Sequence, residues 1–380
     1  MRFVLFFLLA LGTGTALYFG LTAPLVAPQH RIHDTSEGQV AVARVAGPFA
    51  HPWAVAFLGD GVMLVTERGG RLWRLGPDGA RAEVAGVPAV RAEGQGGLLD
   101  VVAARDFAVT REIFLTYAEP LDGMGRTAVA VARLSDNGQS LEDIRVIFRQ
   151  SPAVSATHHY GSRVVEAPDG TLWVTLGERG LGSQAQNPAS HLGKVVRIAR
   201  DGSAPRDNPL AGGLGLPEIW SFGHRNPQGA ALDPATGALW TVEHGAKGGD
   251  EINRPEAGRN YGWPVISYGT TYAGTRIGAG AEKAGMEQPL HYWDPSIAPS
   301  GMMIYSGRLW PGWRGDIFVG ALKFRLISRL DRDGDSITGE ERLFEGVYGR
   351  IRDVREGPEG AIWFLTDEDE GALYRVTPVE

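Results

Sequence analysis

The chain has 380 residues and a formal charge of −7 at pH 7, from 37 Lys and Arg against 44 Asp and Glu. That acidic balance argues against nucleic acid as a partner, because phosphate recognition needs a net basic face. The absence of cysteine excludes disulfides, thiolate metal sites, iron–sulfur clusters and thiol catalysis together.

A hydrophobic share of 43% supplies a sizeable core, and the length implies two domains or one large repetitive β architecture. The 53 glycines follow no Gly-X-Y period, so they belong in turns between many short strands.

At the N-terminus Arg2 precedes an apolar run over residues 3–26, and the next charge is Arg31. One positive charge followed by a long apolar stretch predicts a signal peptide or an N-terminal membrane anchor over residues 1–30. Both readings place the protein in the periplasm or outside the cell, with a folded catalytic domain over residues 40–380.

From there one phrase recurs: a turn with Gly or Asp-Gly, a short apolar strand, and a polar exit. It starts at Gly59, Arg111, Pro168, Thr236, Arg314 and Pro358. Asp-Gly before alternating hydrophobics signals a hairpin, and a long repeat period signals a propeller or solenoid. Helical periodicity is weak. The predicted fold is an all-β, six-bladed propeller with four-stranded antiparallel blades. A seventh, irregular blade hidden in residues 264–306 is the nearest alternative.

Between the strands lie five glycine-rich stretches with ionisable or amide side chains: residues 93–100, 158–163, 223–229, 243–264 and 348–354. Glycine permits close approach of backbone to ligand, and loops on a rigid scaffold are where sites form. His158 and His159 are expected on opposite faces of a strand, in a structural role or as a general base. His224, Arg225 and Asn226 share one tight turn, where Arg225 either pairs with a loop acid or holds an anion. Asp250, Glu251 and Glu256 form either a seat for a hard cation or a solvated acidic turn. The run from Asp331 to Arg342 fails the calcium-loop pattern at Ser336 and Arg342 and reads as a hairpin turn. No serine-hydrolase elbow, phosphate-binding loop or zinc-protease motif is present.

Taken in order, these loops resemble the soluble quinoprotein sugar dehydrogenases, and most closely the bacterial aldose sugar dehydrogenases. The strongest match is GHRNPQG followed by DEIN and NYGWP, with DGSAPRDNP from Asp201 in support. The resemblance runs from about His51 to Thr366. It implies a six-bladed propeller using pyrroloquinoline quinone (PQQ) and Ca²⁺ to oxidise an aldose to its lactone, with an external electron acceptor. Carried over, His159 is the general base, oriented by Glu178, and Arg225 contacts the quinone oxygens with Asn226. Gln95, Lys323, Arg350 and Arg352 fall on further cofactor positions. Gly245 and Ala246 offer carbonyls to the Ca²⁺ at the cofactor, and Glu251 and Tyr261 match a second, structural Ca²⁺.

The glucose-oxidising members carry aspartate where Glu178 stands, and Ala246 replaces a proline. A monomer or homodimer, tethered to a membrane if the N-terminus persists, is expected. Two other readings stay open: a calcium-dependent lactonase, and a non-catalytic propeller that binds sugar or protein.

Overall fold

The computed structural model describes residues 30–379. The predicted signal or anchor over residues 1–30 therefore lies, but for His30, outside the described residues. Six sheets ring a central axis, so the fold is an all-β, six-bladed propeller. Five blades run in sequence order from inner to outer strand, over residues 52–83, 98–149, 161–222, 227–293 and 299–343. The sixth takes three strands from residues 351–378 and closes with the N-terminal strand Gly38–Phe49, to which Arg31–Thr35 adds a fifth. Folded structure thus begins before the expected Val40. The register Val40↔Pro378 to Phe49↔Gly371 joins the two ends of the chain.

Each of the six recurring phrases contains the second strand of a blade, such as Val62–Glu67, Leu172–Leu176 and Ile362–Thr366. These strands are buried along nearly their whole length. A neighbouring blade covers each face, so the apolar run is continuous rather than alternating. Apolar packing divides into one cluster per interface between blades. Trp293 and Trp313 belong to these clusters. The segment 264–290 contains no strand, so no seventh blade forms. The run from Asp331 to Arg342 is a hairpin between Leu326–Asp333 and Ser336–Leu343, as predicted.

Every inner strand carries a register shift close to its first residue, as at Pro52/Val55, Gly161/Val164 and Ile351/Asp353. A bulge bends a strand and re-aims its side chains. These six bulges lie at one end of the ring, next to the connections that enter the inner strands. Because inner and second strands are antiparallel, that same end receives the polar exits of the second strands.

Below this mouth the axis holds buried charge. Arg163 contacts Asp100 at 3.3 Å and Asp353 at 2.9 Å, while Arg355 contacts the same two at 2.8 and 3.0 Å. The aspartates also accept backbone N–H groups of the next blade, Val164 on Asp100 and Val55 on Asp353. Replacing Asp100 by Ala leaves two buried guanidinium groups to share Asp353 alone and is expected to cost about 3–5 kcal/mol of folding stability. Equilibrium urea unfolding measures this. A loss within the roughly 0.5 kcal/mol of an ordinary surface change would contradict the assignment.

Candidate active site

His159 lies in the connection before the third inner strand rather than on a strand, with a left-handed φ of 56°. The expected strand placement of His158 and His159 is therefore wrong. The bend exists because Gly177 passes beneath: a Cβ there would sit 2.0 Å from the His159 carbonyl oxygen. The His159 N–H donates to Gln95 Oε1 at 2.8 Å. Its Nδ1 donates to Glu178 Oε1 at 2.7 Å, so the longer acid reaches the imidazole. Glu178 is itself fixed, its N–H bonded to the Arg225 carbonyl at 2.9 Å. Burial lowers the His159 pKa, the Arg225 charge adds to this, and the Glu178 hydrogen bond opposes it. The ring is thus neutral at pH 7, with Nδ1–H engaged and Nε2 as its basic atom.

Arg225 and Asn226 precede the fourth inner strand. Arg225 is buried over Trp263, its backbone N–H bonded to Glu243 Oε2 at 2.7 Å. Asn226 accepts the Gly161 N–H on Oδ1 at 3.1 Å. Arg225 Nε and Asn226 Nδ2 have no hydrogen-bond partner. Neither does Arg352 Nε, although Arg352 contacts Asp367 and donates to Gln228 Oε1 at 2.8 Å. Buried donors are nearly always paired, so these groups await an acceptor.

Two cavities open at this mouth, one of about 390 Å³ and one of about 460 Å³, with His244 and Ala298 in both walls. Gln95, Arg350 and Arg352 line the first; Gly245, Ala246 and Lys323 line the second. His244 is half-buried with Nε2 unpaired, and burial of the ring pushes its pKa down to about 3, Arg225 and His159 adding to the effect. It is a neutral imidazole between the two spaces.

The acidic loop behaves differently from expectation. Asp250, Glu251 and Glu256 do not converge on one cation. Asp250 is consumed by the Gly245, Ile297 and Ala298 N–H groups and by the Ser296 hydroxyl, and Glu256 pairs with Arg254 at the surface. Glu251 is half-buried beside the buried Glu243, and desolvation and that second charge both raise its pKa. With Tyr261 these two line a void of about 10 Å³, while the Tyr261 hydroxyl bonds to Arg254 and Glu256 backbone. Among the described residues no three His, Asp or Glu gather in a metal-holding arrangement.

The structure also brings in His244, from the 243–264 stretch but not named individually, and His51, Arg68, Asp367 and Asp369, none singled out from the sequence. Arg68, His244 and the two aspartates belong to the polar exits of the recurring phrase, whose common position at the mouth was the available signal.

The model for the Glucose / Sorbosone dehydrogenase family matches residues 49–375. The chain is 47% identical to aldose sugar dehydrogenase YliI of Escherichia coli strain K12 over 335 residues, 86% of this chain and 90% of that one. The apo crystal structure of the soluble aldose sugar dehydrogenase from Escherichia coli superposes with a TM-score of 0.87 at 45% identity, over 90% of this chain and 100% of that one. The PQQ-bound aldose sugar dehydrogenase from Streptomyces coelicolor gives a TM-score of 0.75 at 26% identity, over 92% and 100%. The chain therefore belongs to the glucose/sorbosone dehydrogenase family.

Proposed function

We propose that this protein is a PQQ- and Ca²⁺-dependent aldose sugar dehydrogenase, exported through its N-terminus, that passes electrons to an external acceptor. The observation that carries the reading is the set of unpaired buried donors on Arg225, Asn226 and Arg352 beside the neutral His159–Glu178 pair. A quinone with three carboxylates provides the missing acceptors, and Arg350, Arg352 and Lys323 supply local positive charge on an acidic protein. When bound, the quinone supplies a two-electron acceptor for hydride.

The protein's own residues do the rest. His159 Nε2 takes the proton of the anomeric hydroxyl, and Glu178 holds the tautomer and stabilises the imidazolium that forms. Arg225 and Asn226 would hold the quinone oxygens through their unpaired donors and so stabilise negative charge there. The Gly245 and Ala246 carbonyls suit a hard cation at the cofactor. The void between Glu243 and Glu251 suits a second one, since a cation there would relieve two adjacent carboxylates.

The lactonase reading requires Asn226 and Asp250 on one metal. Both already accept backbone N–H groups, and no observation favours it.

Reconstituting the purified apoprotein with PQQ and Ca²⁺ should yield aldose-dependent dye reduction. Lactone hydrolysis without quinone, or no bound quinone, would overturn the proposal. His159→Ala should retain the quinone and lose about 10²–10⁴-fold in rate; a variant keeping most of its rate removes His159 as base. Because burial lowers the His159 pKa, the acid limb of kcat/KM should fall below the ordinary histidine value near 6.5. Glu178 raises that pKa, so Glu178→Gln should move the limb further down. An upward move contradicts the pairing.

A further inference from the structure

The peptide unit between His158 and His159 is held on both of its polar atoms. Its carbonyl oxygen, on His158, accepts Arg179 Nε at 2.9 Å, and its N–H, on His159, donates to Gln95 Oε1 at 2.8 Å. The Arg179 guanidinium reaches further along the same connection, where Nη2 donates to the Ala156 carbonyl. The carbonyl between these two, on Thr157, accepts the Gln95 N–H at 2.8 Å. Three successive carbonyls ahead of His159 are therefore occupied from outside the connection. On its other side the guanidinium lies 3.5 Å from the centre of the Tyr160 ring. Nη1 donates to the Gly125 carbonyl at 3.2 Å, which ties the connection to the second blade. Gly125 also exchanges backbone hydrogen bonds with Val154, at 2.8 and 3.1 Å.

Arg179 is fully buried, and its donors go to backbone carbonyls rather than to a carboxylate. Burial lowers its pKa to about 10, so it stays a cation at neutral pH. A buried charge is costly unless it is hydrogen-bonded, and an apolar side chain would fill the space without that cost. What the guanidinium adds is a rigid, planar fork of donors. The fork closes on a stretch that needs holding. His159 has a left-handed φ of 56°, disfavoured for any residue but glycine and kept only where the surroundings impose it.

Glu178, which immediately precedes Arg179, bonds the Nδ1 of the same histidine. One polar exit of the third blade thus places a carboxylate on the His159 ring and a guanidinium on its backbone. Gly180, next in the chain, leaves room for His158: a Cβ there would lie 2.6 Å from the His158 Nε2. The His158 ring in turn stands edge-on against His159, with ring centres 4.5 Å apart.

We propose that Arg179 is a positioning residue for the base: by fixing the backbone on either side of His159 it aims the ring that Glu178 orients, and it acts on the reaction only through that histidine. This rests on His159 being the base, as read above.

Arg179→Met keeps the reach and the contact with Tyr160 but no donor, and Arg179→Lys keeps the charge but not the fork. Both should lose about 10–10²-fold in kcat, the scale of a group displaced by about an ångström, with the aldose KM and the affinity for PQQ changed less than about twofold. On the His159→Ala background, Arg179→Met should cost less than about twofold more, because residues acting as one unit are not additive. Hydrogen exchange in the apoprotein reads the grip without quinone or turnover: the His159 amide should exchange slowly in the wild-type protein and faster in Arg179→Met. An unchanged kcat in both variants, an equal loss on the His159→Ala background, or prompt exchange of the wild-type His159 amide overturns the role of Arg179 alone. A wild-type protein that binds no quinone, or a His159→Ala variant that keeps most of its rate, removes the reading of the site and the role of Arg179 with it.

Discussion

The charge cluster of Asp100, Arg163, Asp353 and Arg355 is the constraint on which the mouth depends. It joins inner strands from the second, third and sixth blades, and its aspartates also hold the backbone of the first and third. Removing a partner from such a buried set leaves uncompensated charge, so the strands cannot shift independently. Arg163 stacks at 4.1 Å on Trp53, which lines the cavity of about 390 Å³ directly above. The ring closes around a charged plug that supports Trp53 in the cavity wall.

Apolar packing is unequal around the ring. Between the third and fourth blades the buried cluster shrinks to Val195, Ala230 and Leu239. Polar bonds also cross there: the Thr175 hydroxyl on the Pro227 carbonyl, Arg163 Nε on the Gln228 carbonyl, and Glu178 N–H on the Arg225 carbonyl. His159, Glu178, Arg225 and Asn226 all sit on this seam. Directional bonds fix orientation more tightly than side-chain packing, which suits a proton-transfer pair. Sites where local rules bend are the expected places for function.

Much of this was legible because a propeller writes its second strands in sequence. Both faces of those strands are buried, so each appears as an apolar run behind an Asp-Gly or Gly turn, and six runs gave six blades. His159 and Arg225 stood out in the loop motifs, whereas Glu178 and Lys323 were named only through the family resemblance. The closing strand at residues 38–49 was not, since its partner lies more than 300 positions away and pairing at that range leaves no local signature. The acidic loop misled because composition does not reveal direction: Asp250 turns inward to cap backbone amides, while Glu256 faces solvent. His51 and Asp369 escaped notice because they meet only where the sixth and first blades close the ring, far apart in sequence.

The central claim is that one mouth holds both a neutral base and a cradle for a polycarboxylate quinone. A crystal structure of the protein soaked with PQQ and Ca²⁺ tests it most directly. The account predicts quinone density between His159 and the Arg350–Arg352 pair, with Ca²⁺ against the Gly245 and Ala246 carbonyls. Quinone bound away from His159, or a mouth that stays empty at saturating quinone, would contradict it.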